Sequence, residues 1–322
     1  MSNAGAEKAS LPLAAAPGEP VRILLPLDGS DGAGAAIPYA AALAGPGGTI
    51  VLLTVISPGA LTVEHGEAPL PAAMNEAARE LRAGGFIVET RVLTGKPADI
   101  IVQSAANGGA DMIVMASQGR GAVGRLLHGS VADRVAREAT TPVMVVRAEA
   151  AGSGPAAISR LVVPLDGSPL SAESLPVAAS LAQRLGLPIS LARVVNIAEL
   201  MPPVVGMGEA IPYQIYDETE AEMEKAAGEY LDGVASTLRA RGIAVRATVL
   251  SGSPASAIID ATQPDDIIVL CSHERSGALR WLMGSVAEQL VRGDDCPVIL
   301  VPASNEAAAG EEGRSQGRGH GI

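Results

Sequence analysis

Apolar and polar positions follow one repeating order along this chain. Val21–Leu27 is a short apolar, β-branched run closed by Asp28-Gly29-Ser30, the pattern of a strand entering a turn. Ala33–Ala44 is Ala-rich and predicts a helix. Gly48–Ile56 predicts a strand, Pro71–Ala83 an amphipathic helix stopped by Gly84-Gly85, and Phe86–Leu93 a further strand. Ala98–Asn107 predicts a helix backed by Gly108-Gly109. Asp111–Ser117 and Val143–Arg147 predict two more strands, with a helix starting at Ser130 between them. Five strands joined by helices predict a parallel α/β sheet with right-handed crossovers.

The order then repeats. "ILLPLDGS" from Ile23 returns as "LVVPLDGS" from Leu161. "DMIVMASQGRGAVGRLLHGSVAD" from Asp111 returns as "DIIVLCSHERSGALRWLMGSVAE" from Asp266, and "TPVMVVR" from Thr141 as "CPVILVP" from Cys296. Asp28 and Asp166 lie 138 positions apart, Gly129 and Gly284 155 apart, so the second half carries 17 more residues between these motifs. The excess falls mainly in "MPPVVGMGEAIPYQIY", ahead of a long helix expected over Asp217–Arg241. A duplicated domain is the simplest reading. The expected division is a tail over 1–19, a first domain over 20–148, a linker over 149–157, a second domain over 158–303 and a tail over 304–322. Both tails are rich in Ala, Gly and Glu and are expected to be disordered.

Composition narrows the function. The chain has 322 residues, 48% of them hydrophobic but only 2% aromatic, which suits buried parallel strands of Val, Ile and Leu. A net charge of -12 argues against nucleic-acid phosphates and anionic membranes as partners. A loop of backbone N–H groups can still bind a small anion. Two cysteines without a C-x-x-C, a poor signal sequence and no long apolar run lead to the expectation of a cytoplasmic protein.

Gly119, Gly121 and Gly124 spell a literal G-x-G-x-x-G. The dinucleotide fingerprint belongs on the first strand–helix turn, with an acid at the end of the next strand. Here the glycines follow the fourth strand, no acid ends the fifth, and the second half has Glu274, Ser276 and Leu279 at these places. That reading fails. A Walker loop is also absent. A different spacing is shared by both halves: Ala116, Gly119, Gly129 and Ser130 in the first, Cys271, Glu274, Gly284 and Ser285 in the second. It resembles the G-x₂-G-x₉-G-[ST] signature of the universal stress protein family, as do the "PLDGS" turn and the closing "TPVMVV" and "CPVILV" strands.

The resemblance implies two tandem Rossmann-like domains of the adenine nucleotide α-hydrolase-like kind. Each is a five-stranded parallel sheet flanked by helices. It also implies pairing of the halves through their fifth strands, a possible homodimer, and ATP as ligand, with Mg²⁺ possible. Carried over residue by residue, the first-domain site comprises Pro26, Asp28, Val55, Met115, Ala116, Gly119, Gly129, Ser130 and Val131. The second-domain counterparts are Pro164, Asp166, Val194, Gly284 and Ser285. Ala116 stands where the family has Gly, the smallest departure available. Glu274 in place of Gly119 would meet a triphosphate with like charge, so ATP is expected mainly in the first domain.

Simpler roles stand beside these. Asp28 and Asp166 fit plain turns. Ser130 with Asp133, and Ser285 with Glu288, fit capping boxes. Arg120, Arg125, Arg275 and Arg280 suit phosphate or solvent equally. His65, His128 and His273 have no partner at metal-ligand spacing. No Ser–His–Asp or paired carboxylates can be assembled, and nothing nominates a general base, so turnover is expected to be slow hydrolysis at most. Three functions follow in order: a nucleotide-responsive stress or regulatory factor, a protein-interaction module without nucleotide, and an adenylating enzyme. The last lacks the S-G-G-x-D-S loop that such enzymes carry.

Overall fold

Ten strands form one sheet in the order β3-β2-β1-β4-β5-β10-β9-β6-β7-β8 in the computed structural model. It describes residues 20–58, 72–117, 130–148, 156–196, 213–272, 284–293 and 296–303. The first half supplies β1 (Arg22–Pro26), β2 (Thr49–Ile56), β3 (Ile87–Thr94), β4 (Met112–Ser117) and β5 (Val143–Arg147). The second supplies β6 (Arg160–Pro164), β7 (Ile189–Val195), β8 (Val245–Ser251), β9 (Asp266–Ser272) and β10 (Val298–Pro302). Within each half every pairing among the described strands is parallel. The halves meet where β5 and β10 pair antiparallel, Val145 opposite Val298 and Met144 opposite Ile299. This is the fifth-strand pairing expected above. It removes two apolar edges at once.

Helices cover both faces, which is why the central strands such as β1, β5 and β10 are apolar at nearly every position. Ile23 and Leu25 point to one face, with Leu43 of α1 (Ile37–Ala44), Met74 and Leu81 of α2 (Ala72–Ala83), Val177 of the helix at Ser174–Leu185 and Leu231 of the helix at Tyr213–Ala240. Leu24 points to the other, with Ile101 of α3 (Pro97–Gly108), Val135 of α4 (Ser130–Glu138), and Ile258 and Leu290 from helices at Pro254–Ala261 and Ser285–Gly293. In chain order these second-half helices are α5 (Pro169–Ala172), α6 (Ser174–Leu185), α7 (Tyr213–Ala240), α8 (Pro254–Ala261) and α9 (Ser285–Gly293). Both cores contain residues of both halves. Glu288 of α9 acts electrostatically on Arg137 of α4, so the two helices are neighbours across the seam.

Some expectations need correction. The single helix expected over Ala33–Ala44 is a 3-10 segment at Asp31–Ala36 followed by α1. Pro38 opens the α-helix, and Gly32 and Gly34 weaken helix propensity before it. The long helix begins at Tyr213, so the last four residues of the stretch read as insert loop are helical. The two tails, and 201–212 of the insert, lie outside the described residues.

Candidate functional site

The candidate site of the first half starts where β1 and β4 separate. Their pairing is Ile23 with Met112 and Leu24 with Ile113. β4 then continues beside β5 as far as Ser117 opposite Arg147, while β1 stays with β2 as far as Pro26 opposite Leu53. A crevice therefore opens at the C-terminal ends of β1 and β4. Sheet order reverses there, and such switch points are where doubly wound sheets hold ligands. The second half repeats the separation: β6 and β9 pair to Val162 and Ile268, and β9 continues beside β10 to Ser272 opposite Pro302.

Pro26 closes β1 and Asp28 follows it, exposed at the rim. Asp28 Oδ1 accepts from the Ser30 amide at 2.9 Å and the Ser30 hydroxyl at 2.6 Å. Ser30 Oγ in turn caps the 3-10 segment at Ala33 N, 3.3 Å away. The turn needs a left-handed residue between them, and Gly29 supplies it at φ 82. So the turn role of Asp28 is real, and Oδ2 takes part in neither bond. Val55 stands near the end of β2 opposite Leu93. Met115 is buried and Ala116 half-buried at the end of β4. Ser117 Oγ behind them donates to the Val146 carbonyl at 3.3 Å.

Ser130 is the first residue of α4, exposed, and Val131 packs against the core beneath. Asp133 does not serve the expected capping box: its carboxylate accepts from Arg137 Nε at 3.0 Å, one turn on. In α9 the box is also out of register. Gly284 is the cap, its carbonyl accepting from Glu288 N at 2.9 Å, and Ser285 is the first helical residue. The start of a helix still presents free N–H groups to an anion. Gly119, Gly129, Arg120, Arg125, Glu274, Arg275, Arg280 and the three loop histidines lie outside the described residues.

The second half builds the same turn and fills it. Asp166 Oδ1 accepts from Ser168 N at 2.8 Å, and Gly167 has φ 85. Among the described residues a Cβ at Gly29 would meet nothing within 4 Å, whereas one at Gly167 would meet the Arg193 guanidinium at 2.7 Å. Arg193, on β7 just before Val194, stacks on the Tyr230 ring of α7 with its Cζ 5.2 Å from the centroid. Burial pushes the Tyr230 hydroxyl's pKa up, Arg193 opposes that, and Asp166 adds to it. Cys271 is buried at the end of β9. Burial first, then the Glu173 and Asp166 carboxylates, push its thiol to about 12. Arg193 and Tyr230 thus lie together over the Gly167 turn, and Asp166 acts electrostatically on both Tyr230 and Cys271. Pro164, Val194 and Ser285 occupy the places that Pro26, Val55 and Ser130 hold in the first half, and Gly284 precedes α9.

Sequence reasoning missed Arg193, Tyr230 and Glu173. The signal was available: aligning the repeats sets Arg193 against Thr54. Thr54 is buried and donates to the Leu27 carbonyl at 2.9 Å instead of reaching over the turn. Among the described residues no group of three or more His, Cys, Asp or Glu could hold a metal, and no helix is long and apolar enough to cross a membrane.

Comparison with known proteins agrees with the repeat. The model of the Universal stress protein family matches twice, over residues 21–147 and 157–302. A universal stress protein of Mycobacterium tuberculosis is 28% identical over 195 residues, 61% of this chain and 63% of that protein, so the match spans less than two thirds of the relative. The crystal structure of a universal stress protein from Archaeoglobus fulgidus superposes with TM-score 0.58 at 20% identity, over 87% of this chain and 98% of that one. A functionally unknown protein from Pseudomonas aeruginosa superposes with TM-score 0.62 at 17% identity, over 95% and 100%. At these identities the structures speak for the fold alone.

Proposed function

The chain belongs to the universal stress protein family, twice over, and we propose on that premise that its first domain binds ATP. The protein then acts as a cytoplasmic, nucleotide-responsive stress or regulatory factor rather than as an efficient enzyme. One observation carries the asymmetry. Among the described residues no side chain lies over Gly29 in the turn after β1, whereas the equivalent turn after β6 is covered by Arg193 above Gly167.

The residues present in the first domain fit an adenine nucleotide. Asp28 keeps one carboxylate oxygen outside its turn, suited to a ribose hydroxyl. Pro26, Val55, Met115 and Ala116 offer an apolar wall for the base. Ser130 and Val131 start a helix suited to phosphate. Gly119 and Gly129 belong to the same proposal through their spacing in the sequence. Magnesium, if used, would arrive with the nucleotide phosphates. In the second domain Arg193 covers the turn that carries Asp166, which supports weak or no ATP binding there.

Protein purified from its expression host, denatured and filtered, is expected to release adenine nucleotide near one per chain. In Gly119→Glu, whose carboxylate repels phosphate, that nucleotide is expected to be lost. Native protein that releases no nucleotide and takes up none on addition would favour the interaction-module reading instead.

A further inference from the structure

With β5 and β10 used up between the halves, the sheet among the described residues ends at β3 on one side and β8 on the other. The two edges are not alike. β3 is eight residues long, runs in unbroken register against β2 from Ile87 to Thr94, and contains neither Pro nor Lys. Those are the usual devices by which an edge is blunted. The large hydrophobics exposed among the described residues, Ile87 at 57% and Leu93 at 38%, both stand on it.

From the β3 edge we infer that this strand pairs antiparallel with β3 of a second copy of this chain, about a twofold axis at Thr90. The strand is chemically palindromic. Reversed on itself about Thr90, "IVETRVL" sets Ile87 against Leu93, Val88 against Val92 and Glu89 against Arg91. The backbone agrees. Ile87 N donates to Gly48 O and Gly95 N to Ile56 O, so odd-numbered residues bond inward to β2. Alternation then turns the N–H and C=O groups of Val88, Thr90 and Val92 to the free edge. These are the groups that register needs for its hydrogen-bonded pairs. The Ile87–Leu93 and Glu89–Arg91 pairs fall at non-hydrogen-bonded positions, where opposed side chains come closest.

Register is specified by charge. Sliding by one step either way places Glu89 opposite Glu89 or Arg91 opposite Arg91 of the second copy. At present Glu89 is held by Arg22 at 2.8 and 2.6 Å and by Arg91 at 3.0 Å, so the second copy's Arg91 joins an existing cluster. One edge group is covered: Arg82 of α2 donates to Val88 O at 3.0 Å from an exposed side chain. Arg239 does the same to Val245 O in β8 at 2.9 Å. An exposed arginine yields such a bond to a backbone amide at little cost. β8 has no complementary reversal, since turning "VRATVLS" about Thr248 opposes Arg246 with Leu250.

Sedimentation of the full chain at tens of micromolar tests this. The native chain is expected to be a dimer. Ile87→Lys with Leu93→Lys sets like charges face to face at both ends of the pairing and is expected to weaken the dimer about tenfold or more. Both positions are exposed, so the fold is expected to survive, checked by an unchanged far-ultraviolet circular dichroism spectrum. Ile87→Lys with Leu93→Glu restores attraction across the axis and is expected to restore the dimer. A monomeric native chain overturns the proposal, as does a dimer that the lysine pair leaves intact.

Discussion

Arg160 shows what a single residue contributes to this sheet. Its guanidinium reaches across to Asp266, buried to 1% exposure, which also accepts from Ser159 Oγ at 3.3 Å and Gln263 N at 2.9 Å. Removing one partner of a buried pair leaves a charge without compensation. Arg160→Met is therefore expected to cost about 3 kcal/mol in denaturant unfolding. Glu89 makes a pH-dependent contribution. Hydrogen bonds from Arg22, before any other cause, hold its carboxyl below the usual range. Its contribution is present above the unfolded carboxylate pKa and is lost as pH falls through the lowered folded one. The stability gap between the native chain and Glu89→Gln is expected to be flat above about pH 4.3 and to close in stronger acid. A gap that persists at the acid end would contradict this. Cys271, pushed to about 12 by burial and nearby carboxylates, is expected to resist alkylation near neutral pH until the protein unfolds, read by mass spectrometry.

At the scale of elements, β5 and β10 carry the joint between the halves. Val145 and Val298 face each other there, both nearly fully buried. Val145→Lys places an unpaired ammonium in that seam and is expected to lower stability by several kcal/mol, in the range of the largest single-site effects. Strands were the most legible elements. β5 ended where the apolar run ended, because strands covered on both faces read as continuous hydrophobic runs between turn residues. The helix after β1 was less legible: Ala-rich composition fits α and 3-10 turns alike, and only Pro38 marks the change between them. The capping boxes failed for a similar reason. S-x-x-[DE] fits a helix start equally well one residue either side, and Asp133 found Arg137 as its partner. In the candidate site, the places of Asp28, Ala116 and Ser130 at element ends were legible because their motifs occur twice. Arg193 was not, because its role depends on a long side chain crossing to the neighbouring turn and on Tyr230 from an element whose place the pattern does not give.

Taken whole, the molecule is two copies of one domain joined into a single sheet, with duplicated turns that have diverged. A net charge of -12 offers no basic surface, so the proposed nucleotide would rest on local devices, namely helix starts and glycine turns. The duplication offers two crevices, and Arg193 covers one of them. That difference makes stoichiometry the decisive quantity. Titration calorimetry with Mg-ATP on nucleotide-free native chain is the most direct test. One site per chain is predicted, weakened about tenfold or more by Asp28→Asn, which keeps the turn but removes the charge, and unaffected by Asp166→Asn. Two equivalent sites, or a single site lost with Asp166→Asn and kept with Asp28→Asn, would contradict the account.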